Sequence, residues 1–170
     1  MNLKSWIRDI PDFPKKGILF RDITPLLKNP AALQKSVSLL SERASGWTPG
    51  VVAGIESRGF LFGTGVALAL GTGFVPVRKP GKLPYDTLRV EYDLEYGTDA
   101  LEMHTDAVKP GEKVVLVDDL LATGGTMEAA CKLVEKLGAV VAGCLFVVEL
   151  TGLKGRERLA GREVESLVQY

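Results

Sequence analysis

Histidine and cysteine are scarce in this chain. His104 is the single histidine among 170 residues, which excludes a metal centre built on several imidazoles. Only Cys131 and Cys144 carry thiols. Cys131 falls in a helical pattern and Cys144 in the apolar run Ala139–Val148, so buried free thiols are expected rather than a disulfide or a metal pair. Net charge is missing too. The 21 basic side chains balance 21 acidic ones, which argues against a non-specific nucleic-acid surface. The longest apolar run, Ala139–Val148, is far shorter than the about 20 residues that cross a bilayer. Met1-Asn-Leu-Lys-Ser-Trp-Ile-Arg-Asp9 holds no apolar segment of the kind that directs secretion. A reducing cytoplasmic setting without membrane or nucleic-acid partners is the expectation. Two phosphate signatures are absent as well. No G-x-x-x-x-G-K-[ST] occurs, and Gly63-Thr-Gly65 and Gly71-Thr-Gly73 lack the third glycine of a dinucleotide fingerprint.

What is present suits one α/β domain over residues 1–170. Hydrophobic residues make up 46 % of the chain, and a chain of this length buries about two-thirds or more of its unfolded surface. Asn29-Pro30 precedes a helix over Ala31–Ala44, where Leu33, Val37, Leu40 and Ala44 recur at helical spacing. Val51–Ile55 reads as a short apolar strand, Gly59–Leu70 as a helix closed by Gly71, and Phe74–Val77 as a strand in which Pro76 marks an edge or bulge. Leu88–Tyr96 and Ala100–His104 form an antiparallel pair joined near Gly97. Lys109-Pro-Gly111 is a turn, Met127–Leu137 a helix closed by Gly138, and Ala139–Leu150 the final core strand. The tail Thr151–Tyr170 has no clear pattern. Strand–helix–strand repetition predicts a mainly parallel sheet with right-handed crossovers.

The chemistry concentrates in Val114-Val-Leu-Val-Asp-Asp-Leu-Leu-Ala-Thr-Gly-Gly-Thr126. Four aliphatics mark a strand buried on both faces. Asp118 and Asp119 then fall at its carboxyl end, where open α/β sheets bind ligands. The glycines admit close backbone approach, and the helix start behind them offers unpaired N–H groups and a positive dipole end. That is a phosphate cradle, Ala122 to Thr126, beside two acids suited to ribose hydroxyls. The bland alternative is an ordinary strand-to-helix connection with solvated acids, but adjacent carboxylates at a buried strand end are costly unless something binds them.

This stretch resembles the phosphoribosyl-pyrophosphate motif of the type I phosphoribosyltransferases. Asp12-Phe-Pro14, Phe20-Arg-Asp-Ile-Thr-Pro25, Glu56-Ser-Arg-Gly-Phe-Leu-Phe-Gly63, Arg78-Lys-Pro-Gly-Lys-Leu-Pro84, Leu94-Glu-Tyr-Gly97 and Glu149-Leu-Thr-Gly-Leu-Lys-Gly-Arg156 are similar, in order, to the adenine phosphoribosyltransferase family. The resemblance implies a central twisted sheet flanked by helices, a small hood and a flexible antiparallel lid. The implied reaction is purine salvage: adenine and 5-phosphoribosyl 1-pyrophosphate (PRPP) give AMP and pyrophosphate. It also implies a homodimer, and Mg²⁺ held mainly by substrate oxygens and water rather than by a protein ligand set.

The resemblance assigns residues too. Asp118 and Asp119 would hold the ribose, and Ala122, Thr123, Gly124, Gly125 and Thr126 the 5′-phosphate. Glu56, Ser57, Arg58, Arg78, Lys79 and Lys82 would face the pyrophosphate, with a cis bond expected at Glu56–Ser57. Pro80 stands where some relatives carry another base. By themselves, Arg58 and the basic loop also read as solvated cations. The backbone carbonyl of Leu19 and amide of Arg21, two residues apart in an extended segment, can face one edge of adenine. A 6-oxopurine would set like groups against like, at roughly 1–3 kcal/mol for each unpaired partner. Phe20 and Leu150 would sandwich the base, although Phe20 alone is equally a core residue. Glu95 would handle the purine proton; alone it reads as one more solvated acid. A purine-sensing DNA-binding regulator is the rival from another class, and the first thirty residues leave no room for its DNA-reading module. A 6-oxopurine or orotate transferase is the rival among enzymes.

Overall fold

Aliphatic residues that alternate between two cores build the centre of the molecule. Val52, Val115, Val117, Leu145 and Val147 face one apolar cluster, while Ala53, Ile55, Val114, Leu116 and Phe146 face the other. Both faces of the central strands are therefore covered, which is why they read as unbroken apolar runs. The computed structural model describes residues 1–93 and 97–170; the expectations for Leu94, Glu95 and Tyr96 lie outside the described residues.

After a short 3₁₀ turn at Leu3–Trp6 come β1 (Arg8–Pro11), β2 (Leu19–Asp22), α1 (Thr24–Lys28), α2 (Pro30–Ser45), β3 (Val51–Ile55), α3 (Arg58–Leu70), β4 (Gly73–Val77), β5 (Thr87–Asp93), β6 (Thr98–His104), β7 (Lys113–Leu121), α4 (Gly125–Lys136), β8 (Val140–Glu149), α5 (Gly155–Arg158) and β9 (Val164–Gln169). The main sheet has five strands in the order β4-β3-β7-β8-β9, all parallel. β1–β2 and β5–β6 are separate antiparallel hairpins, the first forming the hood. The α2 and α3 side chains Leu40, Phe62 and Val66 pack on one face of the sheet. Met127 and Leu133 of α4 pack on the other with Leu101 and Met103 of β6.

The helix boundaries have local causes. Asn29 caps α2 by accepting from the Ala32 amide at 2.9 Å, with Pro30 in the first turn. Gly71 closes α3 in the left-handed region, at φ 68°. Pro76 lies on the edge strand β4, where its missing N–H costs no ladder bond. Three expectations are corrected. β8 is not the last core strand, because β9 pairs parallel to its outer side. α4 starts at Gly125 rather than Met127, so Gly125 and Thr126 are already helical. β7 runs on through both acids to Leu121 along β8, and only its pairing with β3 stops at Val117.

Candidate active site

The sheet order puts a topological switch point between β3 and β7. The chain leaves β3 toward β4 through α3 and leaves β7 toward β8 through α4, so the starts of the two helices flank one crevice. Arg58 opens α3, Gly125 opens α4, and Asp118 and Asp119 stand where β7 has outrun β3.

α3 reaches this position because residue 59 is glycine. A Cβ there would lie 2.7 Å from the Val117 carbonyl oxygen and 3.2 Å from Asp118 Oδ1. The close crossing brings Arg58 Nε to 2.5 Å from Oδ2 of Asp119, which is 6 % exposed. The Asp119 amide donates to Asp118 Oδ1 at 2.8 Å. The two acids therefore differ. Asp119 has a guanidinium partner. The Asp118 carboxyl is pushed well above the usual carboxylate range, first by burial and then by the charge of Asp119, with Arg58 opposing only weakly. Hydroxyl donors on a ligand would relieve this pair.

A cavity of about 80 Å³ adjoins Asp118, lined also by Ala122, Thr123, Gly124, Gly125, Thr126 and Phe146 among others. All five residues expected at the phosphate loop line it. Gly124 takes φ 86°, and the Gly155 carbonyl lies 2.5 Å from where its Cβ would stand, so α5 roofs the loop at backbone contact.

A second pocket of about 310 Å³ is formed by Phe13, Phe20, Arg21, Asp22, Ile23, Thr24, Leu27 and Arg58. Phe13 and Phe20 meet edge to face with centroids 5.1 Å apart. The Phe13 amide donates to the Ile18 carbonyl at 3.2 Å across the hood. Strand alternation then turns the Leu19 carbonyl and Arg21 amide away from β1, toward the open edge of β2. Leu19 is 45 % exposed. Leu150 is half-buried, with its amide bonded to the Leu121 carbonyl at 2.9 Å, and it does not join Phe20 in lining this pocket.

The expected pyrophosphate residues do not share one set of partners. The Glu56–Ser57 bond is cis, as the resemblance implied. Arg78 Nε lies 2.6 Å from Glu56 Oε2, joining the basic loop to the end of β3. Its backbone also bridges to Glu102 of β6, at 3.0 and 2.7 Å. Lys79 instead binds Asp99 and donates to the Tyr92 hydroxyl at 2.9 Å. Burial opposes its charge, but these two bonds outweigh it and hold the ammonium above its ordinary value. Ser57 and Lys82 are exposed.

A family model described as phosphoribosyl transferase domain matches residues 22–166. The adenine phosphoribosyltransferase of Carboxydothermus hydrogenoformans is 59% identical over 170 residues, covering 100% of both chains. The chain belongs to the adenine phosphoribosyltransferase family. The crystal structure of the adenine phosphoribosyltransferase of Thermoanaerobacter pseudethanolicus matches with a TM-score of 0.96 at 56% identity, covering 99% of this chain and 98% of that one. That of Saccharomyces cerevisiae, solved with an imino-altritol bisphosphate and adenine, matches with a TM-score of 0.91 at 44% identity, covering 97% and 96%.

Within this adenine phosphoribosyltransferase framework, sequence reasoning missed Phe13, Asp22, Ile23, Thr24 and Leu27 as pocket residues. Phe13, Asp22, Ile23 and Thr24 had a signal, since they sit in the Asp12-Phe-Pro14 and Phe20–Pro25 segments. Leu27 enters through the short helix α1, which has no periodicity to read. Asp99 as the partner of Lys79 had no signal.

Proposed function

We propose that residues 1–170 form one phosphoribosyltransferase domain that transfers the 5-phosphoribosyl group from PRPP to adenine, giving AMP and pyrophosphate in purine salvage. The observation that carries this reading is the shared position of Arg58. It lines the aromatic pocket and pairs with Asp119, whose neighbour Asp118 lines the phosphate-sized cavity. Base, ribose and phosphate sites are thus adjacent in the order the reaction needs.

Cleavage of the ribose C1–O bond builds positive charge on the sugar ring and negative charge on the departing pyrophosphate. Asp118 and Asp119 hold the ribose hydroxyls and favour the developing cation. The Ala122–Thr126 backbone fixes the 5′-phosphate, so that the sugar carbon is held in line with the base. Arg58, Arg78, Lys79 and Lys82 receive the leaving group; Arg offers planar paired contacts and Lys a mobile charge. Glu95 exchanges a proton with the imidazole part of adenine as the other ring nitrogen bonds to the sugar.

Among the described residues no cluster of three or more His, Cys, Asp or Glu could hold a metal. The hard oxygen donors lining the cavity, Asp118 and Thr123, suit Mg²⁺ carried in on substrate oxygens and water. When bound, Mg²⁺ neutralises charge on the pyrophosphate.

We infer a cytoplasmic homodimer. Of the Phe60-Leu-Phe62 patch, Phe62 is buried and Phe60 packs on Phe74 at 5.7 Å, but Leu61 and Leu68 of α3 are 51 % and 77 % exposed and would suit a partner subunit. Among the described residues no helix is long and apolar enough to cross a membrane.

Turnover of adenine, hypoxanthine, guanine and orotate measured side by side tests the reading. Adenine is expected to lead the other purines by at least about 10²-fold in kcat/KM, because mismatched hydrogen bonds compound. Comparable turnover of hypoxanthine would sink the backbone-readout argument.

A further inference from the structure

Tyr170, just after β9, lies against two cations. Its ring centroid is 3.7 Å from the guanidinium carbon of Arg21 and 4.2 Å from Nζ of Lys4. The backbone that carries the ring is well held. The Tyr170 amide donates to the Glu149 carbonyl at 3.0 Å, and the Tyr170 carbonyl accepts from the Thr151 amide at 3.0 Å and the Thr151 hydroxyl at 2.7 Å. These bonds tie the ring to the end of β8, beside Leu150. On its other side the Arg21 guanidinium pairs with Asp9 of β1, and the Arg21 side chain is only 16% exposed.

The stack matters because of what the hood lacks. An isolated two-stranded hairpin is marginal in water, and among the described residues β1–β2 shares no ladder with the main sheet. Ile7 and Ile23 root its two feet in the core. Above them the strands are exposed or half-buried, apart from Asp22. The Arg21–Tyr170 contact joins this upper part to the sheet. The Arg21 side chain is the handle, while the same residue's amide is on the open edge of β2. Readout by backbone hydrogen bonds demands close placement, since these bonds weaken steeply with distance and angle.

We propose that Tyr170 is a positioning residue for the purine site: it grips Arg21 from the sheet side and so sets the Leu19–Arg21 edge relative to Leu150. This rests on the transferase reading above. Tyr170 touches no reacting atom, so its effect falls on base affinity and base choice, not on the sugar-phosphate site across the crevice.

The test compares wild type, Tyr170→Phe and Tyr170→Leu, with adenine and PRPP varied in turn. Cation–aromatic contacts at such half-exposed positions correspond to about three- to tenfold in an equilibrium constant. Tyr170→Leu is expected to raise the KM for adenine by that factor, leave kcat and the KM for PRPP nearly unchanged, and narrow the preference for adenine over hypoxanthine. Tyr170→Phe keeps the ring and is expected to behave as wild type. Amide hydrogen exchange over Leu19–Asp22 is expected to quicken in Tyr170→Leu alone. An unchanged adenine KM with equally protected amides overturns the proposal. So does an equal rise in both KM values with a lowered Tm, the mark of a merely structural role. If wild type itself does not convert adenine, the transferase reading fails, and the exchange comparison still decides whether Tyr170 holds the strand.

Discussion

Gly59→Ala is the sharpest probe of how the crevice is built. The added Cβ would stand 2.7 Å from the Val117 carbonyl oxygen and 3.2 Å from both Cα and Oδ1 of Asp118. Two of these three atoms belong to the backbone of the central strand and cannot swing aside. α3 must lift from β7 by several tenths of an ångström. Overpacking of this kind costs about 1–3 kcal/mol, and alanine returns up to about 1 kcal/mol of helix propensity. The net loss is then about 0–2 kcal/mol, or a Tm lowered by at most about 8 °C for a domain of this size. Activity is expected to fall further. Arg58 precedes Gly59, and its 2.5 Å contact with Asp119 moves with the helix. Misplacement by about 1 Å can cost 10²-fold, so kcat/KM for adenine is expected to drop by roughly 10- to 100-fold. Gly46→Ala serves as the control, since its Cβ would meet nothing within 4 Å and its φ of −67° suits alanine. Steady-state kinetics with a thermal melt on the same samples decides the matter. A Gly59→Ala protein with wild-type kcat/KM would refute the idea that this crossing sets the acids and Arg58.

Three further outcomes follow from the site. A raised folded-state pKa for Asp118 means the native state holds that proton more tightly; its contribution to stability is fully present below the ordinary carboxylate pKa and is lost as pH rises through the raised value. Asp118→Asn is therefore expected to melt at or above the wild-type temperature at neutral pH while the KM for PRPP rises, and a lower Tm with normal affinity would make the acid structural. Glu95→Gln is expected to lower kcat by about 10²–10⁴-fold with little change in KM, as loss of acid–base assistance does. Glu91→Gln should do far less, and single-turnover rates equal to wild type in both variants would remove Glu95 from the chemistry. Sedimentation equilibrium is expected to give a dimer, and a stable monomer at micromolar concentration would count against the exposed Leu61 and Leu68 as interface residues.

Much of this architecture was legible because buried parallel strands and glycine-closed helices leave strong local marks. Val51–Ile55 and Val114–Val117 lack any polar side chain for the same reason that they lie between two cores. Gly71 and Gly138 both take positive φ at helix ends. The cavity-lining loop Ala122–Thr126 was legible because the close approach it offers is a property of consecutive residues. What escaped depends on partners distant in sequence. β9 alternates Val164, Ser166 and Val168, and its central residue is polar because its hydroxyl donates to buried Glu149 at 2.6 Å. The hood strands have four residues each, too few to establish a period. Lys79 read as a free cation in a loop, yet a residue twenty positions on holds it.

The position of Arg58 also has a consequence for how the two substrates sense one another. One guanidinium serves both the wall of the aromatic pocket and the carboxylate of Asp119. On the proposed reading, ribose hydroxyls at Asp119 would compete for that carboxylate and so alter the charge presented to the base. Such a shared group would make the two affinities thermodynamically linked, and linkage is reciprocal. Whatever factor PRPP applies to the dissociation constant of adenine, adenine must apply to that of PRPP. Calorimetric titration of each ligand with and without the other would measure that factor twice, and Arg58→Met should bring it toward one.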